Sequence, residues 1–297
     1  MKMKKSVFIC LFIFLISSVF AKGIYITPKI QLKNGIAKEY VYDGSHKLSQ
    51  LDWKVENLTN FGVSSEFFLN KLFLAFEFSS GLYNFGGKME DYDWLDYENP
   101  QHYVRYSSHD LIVSENFNFS FDLGFHFPIN TSKNLGKVFF QFDFWESKFV
   151  GANGFRYYED WEEYGNAAGT FSGVVITYNP IITSFFLGIG SKCYFGNSFS
   201  LEAESLISFA TFGTCIDNHV LSNGKFVDYV RGCFFGKLDF SLAYDFSETY
   251  SLVLGGKVEN LPPIYGKSFV NNMLSAATGG FSSFFYEFYL SYRIRML

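Results

Sequence analysis

Cysteine is scarce in this chain and poorly spaced for cross-linking. Only four occur in 297 residues. Cys10 sits in a leading apolar run, and Cys193, Cys215 and Cys233 form neither a CxxC nor a Cys/His spacing suited to zinc. That argues against a disulfide framework. Charge is sparse as well: 18% of residues carry it, with 24 basic against 29 acidic and a net of −5. A nucleic-acid binder would show the opposite balance. After the first 20 residues there is no run of 18 apolar residues, so no further transmembrane helix is expected. Aromatic residues, by contrast, reach 21%, with 39 Phe and 20 Tyr spread along the chain, which argues against disorder.

The opening "MKMKK" is a positive n-region, "SVFICLFIFLISSVF" is a short apolar run, and Val19-Phe20-Ala21 presents a small residue at each position a signal peptidase reads. This pattern predicts a secretory signal over residues 1–21, cut after Ala21. The run is shorter than the roughly 20 residues of a membrane-spanning helix. Its removal leaves 21 basic and 29 acidic residues, a net of −8.

What recurs in the rest is strict alternation. "NFNFSFDLGFHFP" puts Phe117, Phe119, Phe121, Leu123, Phe125 and Phe127 on one face, with Asn118, Ser120, Asp122, Gly124 and His126 on the other. That is the period of a strand. "KLFLAFEF" (71–78), "KVFFQFDF" (137–144), "KLDFSLAYDF" (237–246) and the terminal "YEFYLSYRIRML" follow the same grammar.

A soluble β-sandwich would turn such faces into a core. An outer-membrane barrel would turn them to lipid and line its lumen with the polar ones. The length and aromatic character of the faces favour the barrel. Short linkers at 195–198 and 247–251 suit periplasmic turns, and long polar ones at 86–108 and 150–170 suit extracellular loops. The expectation is an all-β transmembrane antiparallel barrel of about ten strands, one domain over residues 22–297. The chain ends on Leu297 rather than on the aromatic residue usual for bacterial barrels.

Residues 86–96, "GGKMEDYDWLD", crowd the aspartates Asp91, Asp93 and Asp96 together. Asp91 and Asp93 are two apart, so both emerge on one face of an extended segment, while Asp96 falls on the other. Asp217 and His219 in "DNH" repeat that spacing. Two strand tops presenting such pairs across a barrel mouth would hold a water between a carboxylate and an imidazole. His219 would act as general base, its ordinary pKa lying near working pH, and Asp217 would orient the ring.

"KLSQLDWKVEN" (47–57), "GGKMEDYDWLD", the downstream "ENP" and "SSHD", and "DNH" (217–219) together resemble the omptin family, ten-stranded outer-membrane endopeptidases of Gram-negative bacteria. The likeness is strongest over residues 39–110. It implies that Asp91 holds the attacking water with Asp93 as its coupled partner, with no covalent intermediate, metal or cofactor. It also implies peptide or protein substrates. Glu39 resembles one acid of the family's pocket for Arg or Lys, whereas the second acid is replaced by Cys215, which points to a basic or relaxed preference. Arg105 stands near where an acid is expected on the far side of the scissile bond. "ESK" resembles part of the family's lipopolysaccharide site and makes Glu146 and Lys148 candidate lipid-binding residues. The later basic position of that site is not found in "VVITYNPIIT", so dependence on the lipid is not expected to be strong. A non-catalytic omptin-like barrel acting as an adhesin is the alternative function. A wide pore is disfavoured, since such channels take 16–18 strands.

Overall fold

A computed structural model describes residues 23–129, 131–164 and 167–296. Residues 1–21, read as a signal, and Leu297 lie outside them. Twelve strands make one sheet: β1 (Gly23–Asp43), β2 (His46–Leu69), β3 (Leu72–Gly81), β4 (Asn84–Asp93), β5 (Arg105–Ile129), β6 (Thr131–Tyr158), β7 (Ala168–Phe195), β8 (Phe199–His219), β9 (Gly224–Gly232), β10 (Gly236–Asp245), β11 (Tyr250–Val270) and β12 (Met273–Met296). Every pairing is antiparallel, and β1 pairs with both β2 and β12, which closes the ring.

The twelve strands occupy ten positions around that ring. β3 and β4 both lie between β2 and β5, β3 on the lower half and β4 on the upper. In the same way β9 and β10 share the place between β8 and β11. The ten-strand expectation therefore describes the staves of the barrel, two of which are broken midway.

The alternation sorts side chains as lipid outside and a polar lumen require. Phe240 is 54% exposed and Phe288 62%, while Glu287 beside it is 7% exposed and turned inward. The inward charges are paired. Lys237 lies 3.0 Å from Asp143 and 3.2 Å from Glu259, Lys257 lies 2.8 Å from Glu259, and Lys137 joins Glu202 and Glu204. Pairing of this kind offsets the cost of taking ions out of water. The network leaves a lower cavity of about 130 Å³, room for a few waters and not for a channel. Above it lies a layer of rings. Trp53 stacks on Tyr178 at 5.5 Å and on Phe149 at 5.8 Å, and Phe281 bridges Tyr178 and Trp145. Trp53, Tyr178 and Phe281 are fully buried.

The strands run further than the alternation indicates. The connection read at 86–108 is loop only between β4 and β5. In that read at 150–170, β6 runs on to Tyr158, a short 3-10 helix (Glu159–Tyr164) follows, and β7 begins at Ala168. Above the apolar belt the outer face turns polar, as in the Lys54–Glu90 ion pair, so periodicity fades although the backbone ladder continues. Gly86 and Gly87, at the start of the segment read as a linker, accordingly lie within β4. They form an irregularity inside β4, with Gly87 at φ +107° and no room for a Cβ, which would overlap the Lys54 carbonyl oxygen. A side chain there meets both a disfavoured backbone region and that oxygen. Gly87→Ala is expected to cost about 1–3 kcal/mol in urea unfolding of the folded barrel.

Candidate active site at the barrel mouth

Asp91 and Asp93 close the upper end of β4 with both side chains inward. Leu51 stands opposite Asp91 and Ser49 opposite Asp93, and the Ser49 hydroxyl lies 3.5 Å from Asp91 Oδ1. Asp217 and His219 close the upper end of β8. Three staves (β5, β6 and β7) separate β4 from β8 in one direction and five in the other, so the two pairs stand on opposing walls.

His219 Nε2 is 2.7 Å from Asp217 Oδ2. The carboxylate can only accept, so Nε2 donates and Nδ1 of the neutral ring is left as the basic atom. The side chain of Asp217 is 4% exposed and that of His219 38%, so the carboxylate is sealed and the imidazole is open to the mouth.

The charges of the two pairs reach each other. Burial, then Asp93 and Asp217, hold the Asp91 carboxyl well above the usual range, with His219 opposing. Asp93 is raised by burial and held back by Ser49, Arg105 and His219. Burial also raises Asp217, against the pull of His219. For His219, burial disfavours the cation, but the bond to Asp217 and the charges of Asp217, Asp91 and Asp93 outweigh it and lift the imidazole above its ordinary value. Two crowded carboxyls with raised pKa values are the condition under which one proton is shared between them.

Glu39 on β1 and Cys215 on β8 also turn inward, each 2% exposed. Burial pushes the thiol up, so Cys215 brings no negative charge. The ring layer around Trp53 and Tyr178 floors the site, for Tyr178 stands directly opposite Asp217 on the neighbouring strand. Arg105, opposite Asp93, donates through Nε to Asp160 at 3.0 Å. Asp96 accepts the Glu98 amide at 2.9 Å and belongs to the turn of its loop. His109 of "SSHD" is held between the Ser107 hydroxyl and the Asn153 carbonyl, with its pKa lowered by burial, and is a core histidine. Glu146 and Lys148 sit on the outer face of β6, since Trp145 and Ser147 between and before them point inward. Lys148 is 3.6 Å from Glu115.

Among the described residues no group of three or more His, Cys, Asp and Glu is arranged to hold a metal. Sequence reasoning overlooked three inward residues near the pairs: Trp53, Tyr178 and Asp228. The last could have been found by counting a hairpin: with His219 opposite Gly224, Cys215 falls opposite Asp228.

No curated protein sequence matches the chain. Among solved structures, the outer membrane protease OmpT from Escherichia coli superimposes with a TM-score of 0.83 at 17% identity, over 93% of this chain and 97% of that one. At that identity the likeness speaks for the fold alone. The translocator domain of the autotransporter NalP from Neisseria meningitidis covers 93% and 89% of the two chains at 8% identity, with a TM-score of 0.38, too low to support an argument. The model of the Omptin family matches residues 22–262, most of the sequence. An outer-membrane β-barrel with this match over most of its length belongs to the omptin family.

Proposed function

We propose that the chain is an outer-membrane endopeptidase whose attacking water is held between the Asp91–Asp93 couple and the Asp217–His219 couple. The observation that carries this reading is the double engagement of His219. Asp217 fixes its Nε2, and the charges of Asp91 and Asp93 reach it from the opposite wall. In the proposed reaction His219 Nδ1 takes a proton from the water as oxygen attacks the scissile carbonyl carbon. Asp217 stabilises the imidazolium that results. The proton shared by Asp91 and Asp93 is directed at the carbonyl oxygen, where negative charge develops. Collapse of the tetrahedral intermediate breaks the C–N bond, and the imidazolium proton passes to the leaving amine. Glu39 favours a basic residue before the cleaved bond.

The acid limb of the pH profile tests this. A general base works only unprotonated, so kcat/KM is expected to fall about tenfold per unit below the pKa of His219. Because that pKa is raised, the limb lies above the roughly 6.5 of an ordinary imidazole. Asp217→Asn removes the carboxylate that stabilises the cation, so the limb moves to lower pH while the rate falls. The measurement is cleavage of quenched-fluorescent peptides by the barrel in lipid–detergent micelles. A limb that stays in place in Asp217→Asn contradicts the role given to His219. Peptides that bind and remain intact point to the non-catalytic surface barrel instead.

A further inference from the structure

Cys215 brings no negative charge to the wall beside Asp217, yet the structure sets a carboxylate at the same spot. Cys215 on β8 stands directly opposite Asp228 on β9, so both side chains leave the same face of the sheet at neighbouring points. Asp228 is 3% exposed. Its carboxyl lies over Gly279 of β12, where a Cβ would overlap it, so the strand is hollowed to receive this group. Ser268 of β11, opposite Asp228, holds one of its oxygens. The other, Oδ1, is buried without a partner, and so is Oε2 of Glu39, which is 2% exposed. Glu39 lies within electrostatic reach of Asp228 and Asp217, and among the described residues neither Glu39 nor Asp228 makes an ion pair. In the lumen below, buried carboxylates such as Asp143 and Glu259 are matched by lysines.

We propose that Asp228 supplies, from β9, the negative charge missing at Cys215, and that with Glu39 it forms the subsite for the Arg or Lys side chain preceding the cleaved bond. Buried carboxylate oxygens without partners are costly to a folded chain and become favourable contacts once a cation enters. A guanidinium presents its donors as a planar fork able to engage two carboxylates at once, whereas an ammonium acts as a point charge, so Arg is preferred to Lys. The carboxylate comes from the strand next to Cys215, one position across the ladder. The inference rests on the endopeptidase reading for the subsite's role, though not for its affinity.

Binding and turnover are therefore measured separately. In micelles, with His219→Ala preventing cleavage, a labelled heptapeptide with one arginine and its twin with neutral citrulline are compared by fluorescence anisotropy. Arginine is expected to bind at least 30-fold more tightly, the low end for a buried charge pair. Asp228→Asn brings the ratio towards one, and adding Cys215→Asp to Asp228→Asn restores it. Equal affinity for the two peptides, or a ratio untouched by Asp228→Asn, overturns the proposal. With His219 intact, tight arginine binding without cleavage overturns the endopeptidase reading and leaves the subsite standing. Equal cleavage of both peptides does the reverse.

Discussion

His219→Ala is expected to lower kcat/KM for peptide cleavage by about 10²–10⁴-fold, the range for removing a positioned general base. The variant keeps its fold, because the side chain stands at the open end of β8 and is 38% exposed. On the proposed mechanism Asp91→Ala should fall in the same range, since the variant would lack the carboxyl assigned to position water and share a proton with Asp93. The double variant should be little worse than the poorer single one, since groups acting on one water are not additive. The check is initial rate on quenched-fluorescent peptides, with heat-modifiable mobility on gels reporting that the barrel is folded. Rates within threefold of wild type in both single variants would remove the two couples from the chemistry. A double variant showing the full product of the single losses would mean that they act on separate steps.

Trp53→Ala is expected to cost about 3–5 kcal/mol, the range for deleting a buried Trp from a packed interior. Trp53 is fully buried and stacked on both Phe149 and Tyr178. Collapse into the gap is limited because its neighbours are fixed by strand pairing on separate staves. The loss also reaches the site. Tyr178 is opposite Asp217, and Trp53 stands opposite Met89 on β4, two residues before Asp91. Activity should therefore fall at temperatures where the barrel remains folded, while Trp53→Phe recovers most of both properties. Urea unfolding followed by tryptophan fluorescence, with peptide turnover on the same samples, separates the two effects.

Where lipid faces one side of a strand and polar groups the other, the architecture is plain in the sequence. Phe117 to Phe127 alternate with polar residues because each face meets a different solvent. Ten staves follow from counting such runs. Above the belt that contrast vanishes, and for this reason β4 and β6 extend into segments that read as loops. The site is legible to a lesser degree. The spacing of Asp91 with Asp93, and of Asp217 with His219, announces a shared face within each pair. Nothing local announces that β4 and β8 oppose one another. Asp228 is a single acid in "KFVDYV", and it gains meaning only through the hairpin register that sets it against Cys215. Trp53 and Tyr178 are remote in sequence, and their stacking is a consequence of barrel closure.

The ring layer and the ion-paired lumen beneath it also govern traffic. Among the described residues the space below the two couples narrows to a cavity of about 130 Å³, too small for a peptide to thread through to the inner side. Substrate enters, and both products depart, through one opening. Cleavage therefore suits exposed bends or loose ends of larger molecules dipped in from outside. On the proposed reading, the fragment whose basic end would sit against Glu39 and Asp228 would compete with the next substrate for that opening, and inhibition by product is expected.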